Sequence, residues 1–157
     1  MAGVVGTAHS CANPNTNVWN SRGIWISYVL VVLLLHFIIL CIPAKVLTVE
    51  WCWTITNVVH SILMYLLMHS VKGTPFHTTD QGSSRFLTGW EQMDGEEQFT
   101  EARKFFLSAS IVLYLLASFY TKYEYEHFQW NTAALLLSVL PKLPQFHRVR
   151  VFGINRY

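Results

Sequence analysis

The sequence predicts an all-α integral membrane protein: four transmembrane helices forming two hairpins, both termini cytosolic, and a short interfacial helix in the central loop. Composition is the first reason. Hydrophobic residues make up 52% of the 157 and charged residues only 13%, against about 25% charged in an average soluble domain, so a water-facing surface would lack its charges. The second reason is segmentation, with four apolar runs separated by polar stretches. The third is charge placement. If all four runs span, nine of the eleven Lys and Arg residues share one side, which the positive-inside rule places in the cytosol.

A hydrocarbon core of about 30 Å takes ~20 helical residues at 1.5 Å each. The spans are assigned to 24–43, 49–71, 105–123 and 128–146 within a single domain, 1–157. The first is interrupted only by His36 and stopped by Pro43. The second opens with Trp51 and Trp53, and the third closes with Tyr120, Thr121, Lys122 and Tyr123, residue types that suit the membrane–water interface. The fourth has a short apolar part, followed at once by Pro141, Lys142 and Pro144. Charge decides in its favour. Without it the basic residues split five against six and the bias disappears.

The assignment leaves a cytosolic tail, 1–23, a cytosolic loop, 72–104, and a C-terminal tail, 147–157. In the loop, Lys72-Gly73-Thr74-Pro75-Phe76 forms a turn that must leave the helix before Pro75. Thr88-Gly89-Trp90-Glu91 has the form of a capping box. Phe86, Leu87, Trp90 and Met93 then recur at helical spacing, which predicts the interfacial helix, ended by the Asp94-Gly95 turn. A second loop helix is expected from near Glu96 into the third span, with acidic residues complementing its dipole.

Little in this pattern points to catalysis. The seven histidines make no HxxxH or H-E-x-x-H pair, so no metal site is assigned. His36 and His60 lie mid-span, where hydrogen bonding between helices is the default. Asn57, His60, Ser61 and Met64 form a polar stripe on the second span, read as a packed face. Cys41 and Cys52 are read as buried, reduced thiols. Asp80, Glu91, Asp94, Glu96, Glu97 and Glu101 are read as a solvated acidic face. A net charge of +2 gives no footprint for nucleic acid. In the tail, Asn13-Pro14-Asn15-Thr16 reads as a turn, with Asn17, Asn20 and Ser21 placed to cap the first span.

Several strings carry a family resemblance: Val5-Gly6-Thr7-Ala8-His9-Ser10, Asn13-Pro14-Asn15-Thr16 and Asn20-Ser21-Arg22-Gly23-Ile24-Trp25 in and beside the tail. Others are Val71-Lys72-Gly73-Thr74-Pro75-Phe76, Trp90-Glu91-Gln92-Met93-Asp94 and Ser118-Phe119-Tyr120-Thr121-Lys122-Tyr123. Pro141-Lys142-Leu143-Pro144 and Val151-Phe152-Gly153-Ile154-Asn155 complete the set. With these, nearly the whole chain resembles the ORM/ORMDL family.

The resemblance implies a multi-pass endoplasmic-reticulum membrane protein with no catalysis and no cofactor of its own. Its implied partners are ceramide, membrane lipids, and the large subunits and small activating subunit of serine palmitoyltransferase, a pyridoxal-phosphate enzyme that the family restrains when ceramide is abundant. It implies that Asn15 contacts ceramide, while Met1, Asn13, Pro14 and Thr16 belong to the inhibitory tail that meets the enzyme. The alternative is a scaffold subunit that senses nothing. This chain departs from the family in its first residues, Met1-Ala2-Gly3-Val4, and in Gly89, where animal members place His. It also lacks the Ser-rich extension of fungal members.

Overall fold

The computed structural model describes residues 14–74 and 82–150. Among them the chain is helical without a strand. The elements are α1 (Pro14–Asn17), α2 (Arg22–Leu40), α3 (Val49–Tyr65), α4 (Gly89–Gln92), α5 (Glu101–Tyr120) and α6 (Tyr125–Val139). A π-helical turn, Leu66–Ser70, continues α3, and short 3-10 turns flank α1, α4 and α6. Three helices are long and apolar enough to cross a membrane: Arg22–Leu40, Val49–Ser70 and Glu101–Tyr120. By itself α6 is shorter, 15 residues, or about 22 Å.

Local chemistry sets the helix ends. Thr48 and Thr100 sit extended before α3 and α5, where their hydroxyls accept the Trp51 and Arg103 amides. Ser21 occupies the matching position before α2 but makes no side-chain cap bond. Helix α5 begins at Glu101, five residues later than the sequence suggests. The reason is backbone conformation, since Asp94, Gly95, Glu96 and Phe99 all have positive φ, which no continuing α-helix tolerates. Helix α6 stops at Val139 because Pro141 and Pro144 restrict the chain to 3-10 turns.

The two hairpins, α2 with α3 and α5 with α6, pack into one bundle. Helix α3 is central and touches α2, α5 and α6, and among the described elements its interface with α6 is the most extensive. Helix α2 lies at the edge with only Ile39 buried. Ile26, Leu30, Val31, Leu34 and Phe37 project outward from it, as an all-round apolar helix does when hydrocarbon is its solvent.

The buried face of α3 is polar. Thr54, Thr56, Asn57, His60 and Ser61 are each at most 3% exposed, and nearly all bond across helices. The Asn57 amide donates to Asn131 Oδ1 at 2.9 Å, and Asn131 in turn donates to Thr54 Oγ1 at 3.3 Å. Thr54 also meets His127 Nδ1 at 2.9 Å. His36 and His60 do not meet. His36 pairs with Thr56 at 2.9 Å, and His60 with the Tyr28 hydroxyl. The stripe on the second span is thus a packed interhelical seam. Cys52 is buried as expected, but Cys41 is exposed, because it follows the last turn of the outlying α2.

The apolar core collects at the loop end of the bundle. Met64, Met68, Trp90, Met93, Ala102 and Phe106 form it, with Trp19, Trp25, Tyr28 and Phe105 packed around them. Two residues of this core, Trp90 and Met93, come from the loop. The capping box forms as expected, since Thr88 accepts the Glu91 amide and the Glu91 carboxylate accepts the Thr88 amide. Trp90, Glu91 and Gln92 are buried, so α4 roofs the bundle and turns these side chains into it.

Replacing Asn57 and Asn131 with Leu, singly and together, tests the seam. A double-mutant cycle on unfolding in bicelles should return a coupling of about 0.6–1.7 kcal/mol.

Candidate functional site

The N-terminal tail, the central loop and the C-terminal segment converge over the loop end of the bundle. Asn15, on the single turn of α1, donates from Nδ2 to the Gly73 carbonyl at 3.0 Å and to Gln92 Oε1 at 3.3 Å. Gln92 donates in turn from Nε2 to the Gly73 carbonyl at 3.2 Å and to the Leu87 carbonyl at 2.8 Å. Gly73 presents this shared carbonyl from a left-handed conformation (φ 61°), which glycine adopts without a steric penalty. Its own amide donates to the Leu87 carbonyl at 2.9 Å, beside an isolated antiparallel bridge between Lys72 and Thr88.

Thr16 sits over the Asp94-Gly95 turn, its methyl 3.8 Å from where a Gly95 Cβ would lie. Pro14 opens α1. Met1 and Asn13, the other tail residues singled out in the sequence, lie outside the described residues. Trp19 anchors the tail to the core edge-on against Phe106, and its carbonyl accepts the Trp25 indole at 2.7 Å.

Two arginines fix the loop. Arg103 is 4% exposed. From α5 it donates to the carbonyls of Trp90 at 2.9 Å and Met93 at 3.3 Å, the end of α4 where carbonyls lack helical partners. Its guanidinium also lies 5.0 Å from the Trp90 ring centroid. Arg150 grips both Glu91 oxygens at 2.5 and 2.7 Å, a bidentate geometry unavailable to lysine. Neighbouring Arg148 pairs with Glu96.

The reading of Glu91 as part of a solvated face is therefore corrected. Burial alone would raise its carboxyl, but Arg150 and the Thr88 amide hold it down at about 2. Its role was legible only in half: the capping box is local, whereas Arg150 arrives from 59 residues away.

Lys142 is a further polar anchor that the sequence did not disclose. Its ammonium is buried and donates to the Phe106 carbonyl at 3.3 Å, Ser110 Oγ at 2.9 Å and Ser138 Oγ at 3.0 Å. It locks the end of α6 to the first turns of α5. The site as a whole is an amide-and-carbonyl junction braced by ion pairs. An amide such as that of Asn15 matches hydroxyl and amide groups because it offers two donors and an acceptor.

Comparison with known proteins bears on who uses such a junction. The family model described as the ORMDL family matches residues 13–150, which takes in the tail helix, the loop and Arg150. The chain belongs to the ORMDL family. It is 60% identical over 153 residues to ORM1-like protein 2 of Homo sapiens and of Bos taurus, covering 98% of this chain and 99% of each relative. It is 59% identical to ORM1-like protein 1 of Danio rerio and 58% to ORM1-like protein 3 of Homo sapiens, with the same coverage. In this ORMDL chain Gly89 stands at the start of α4, and a Cβ there would meet the Leu67 carbonyl at an ordinary 3.5 Å. A methyl group at this position is therefore compatible with the roof.

The Glu91 carboxyl lies below its ordinary value of 4.5. Its stabilising contribution is therefore complete above pH 4.5 and lost as pH falls toward 2. Thermal unfolding of the detergent-solubilised chain should show a drop in that window that Glu91→Gln removes. At neutral pH Arg150→Ala should cost toward the lower end of the ~3–5 kcal/mol seen for breaking buried pairs, because the Thr88 amide still serves the carboxylate.

Proposed function

We propose that this chain is a ceramide-responsive inhibitory subunit of serine palmitoyltransferase in the endoplasmic-reticulum membrane, without catalysis of its own. Membership of the ORMDL family supports the reading. The observation that carries it is the position of Asn15, which ties the tail to the loop through Gly73 and Gln92. Ceramide offers hydroxyl and amide groups to that junction, and its binding there changes what holds the tail. A tail that is ordered differently with and without lipid couples ceramide concentration to access at the partner's substrate entrance, as linked equilibria require.

The same proposal sets all four helices across the membrane with tail, loop and C-terminus cytosolic. Depth supports the fourth span. At one end Lys142 reaches Phe106 in the second turn of α5. At the other, His127 pairs with Thr54, next to Trp53, which stacks on Tyr120 at the last turn of α5. Residues 127–142 thus cover nearly the depth of span-length α5. The nine-to-two distribution of Lys and Arg favours this orientation.

The test is enzyme activity in membranes titrated with ceramide. Asn15→Ala should abolish ceramide inhibition while the chain still co-purifies with the enzyme, and equal inhibition with and without the substitution would remove Asn15 from the sensor. Deleting residues 2–17 separates this reading from a scaffold that senses nothing, which would keep both assembly and activity normal.

A further inference from the structure

A second feature opens on the other side of the roof, between the end of α3 and the end of α6. It is a groove of about 740 Å³, within the ~300–1,000 Å³ typical of small-molecule sites. Its wall is apolar, built from Tyr65, Leu136, Leu137, Leu140 and Phe146, all partly exposed along the groove. Its upper end is polar and reaches His69, His147 and Arg150. The groove therefore runs from the hydrocarbon-facing flank of the bundle to the polar cap.

Two unpaired atoms lie just beneath the polar end. His69 Nε2 and His147 Nδ1 are both buried without a hydrogen-bond partner, and both residues line this one groove. An orphaned buried polar atom costs free energy that a bound group recovers. The lining charges leave no room for an ionic head, because Glu91 and Arg150 neutralise one another through two short bonds. A hydroxyl suits the imidazoles, since it donates to one nitrogen or accepts from another according to tautomer.

We propose that this groove seats a membrane lipid with an uncharged, hydroxyl-bearing head, its chain along Leu136, Leu137 and Tyr65 and its hydroxyls between His69 and His147. The seat is distinct from the Asn15 junction and independent of it. Asn15 does not line the groove.

The experiment uses the full chain in phosphatidylcholine nanodiscs with a diazirine- and alkyne-tagged monoacylglycerol, and maps the adducts by mass spectrometry. Adducts should concentrate on residues 136–146. Both Leu137→Trp, which fills the groove from its rim, and His69→Phe should reduce them about five-fold, and Asn15→Ala should leave them unchanged. The same tag on phosphatidic acid should label the groove several-fold less. Labelling spread over α2 and insensitive to Leu137→Trp would overturn the proposal. So would labelling that rises several-fold when the chain is truncated after Arg150, because the groove would then belong to the protein's own last residues.

Discussion

Hydrocarbon offers no hydrogen bonds, so every polar group carried into it must find its partner within the protein, and α3 meets that requirement for the rest of the bundle. Its buried face carries Thr54, Thr56, Asn57, His60 and Ser61. Asn131 and His127 hold α6 against that face, and His36 and Tyr28 hold α2. Apolar contact alone would position these helices loosely, because lipid chains are as apolar as Leu. The polar seam gives each helix a register, and Lys142 gives α5 and α6 the same service at the loop end through Ser110 and Ser138.

That register matters because it puts the ends of α3, α5 and α6 where a roof can be built on them. Arg103 gathers the carbonyls closing α4, Glu91 ties α4 to Arg150, and Gln92 and Gly73 receive the tail through Asn15. Segments far apart in sequence thereby become one surface. Each link is a donor meeting an acceptor, and the Gly73 carbonyl and the Glu91 carboxylate are each shared between two donors, so the roof is held as a connected set. The tail turn α1 is held there by the Asn15 hydrogen bonds together with Thr16, which lies against the Asp94-Gly95 turn.

Helix content, the apolar segments and the capping box at Thr88 were legible because each depends on neighbours within a few residues. The start of α5 was not, since nothing local in Glu96 or Phe99 announces a positive φ. Glu91 looked solvated because its partner lies in the C-terminal segment, and Arg103 and Lys142 counted only as cytosolic charges because the carbonyls they serve come from other elements. Asn15 was singled out by resemblance alone. What the structure adds is its bonding to Gly73 and Gln92 across 58 and 77 residues, a relation with no signature in spacing or composition.

In the function proposed for this chain, tail and loop act as one ceramide-reading unit on the enzyme. Hydrogen exchange on the assembled complex, with and without ceramide, tests it most directly. Ceramide should change protection of residues 14–20 and 87–93 together, and Asn15→Ala should abolish both changes. A ceramide-induced change confined to the tail, with the loop unaltered, would contradict it.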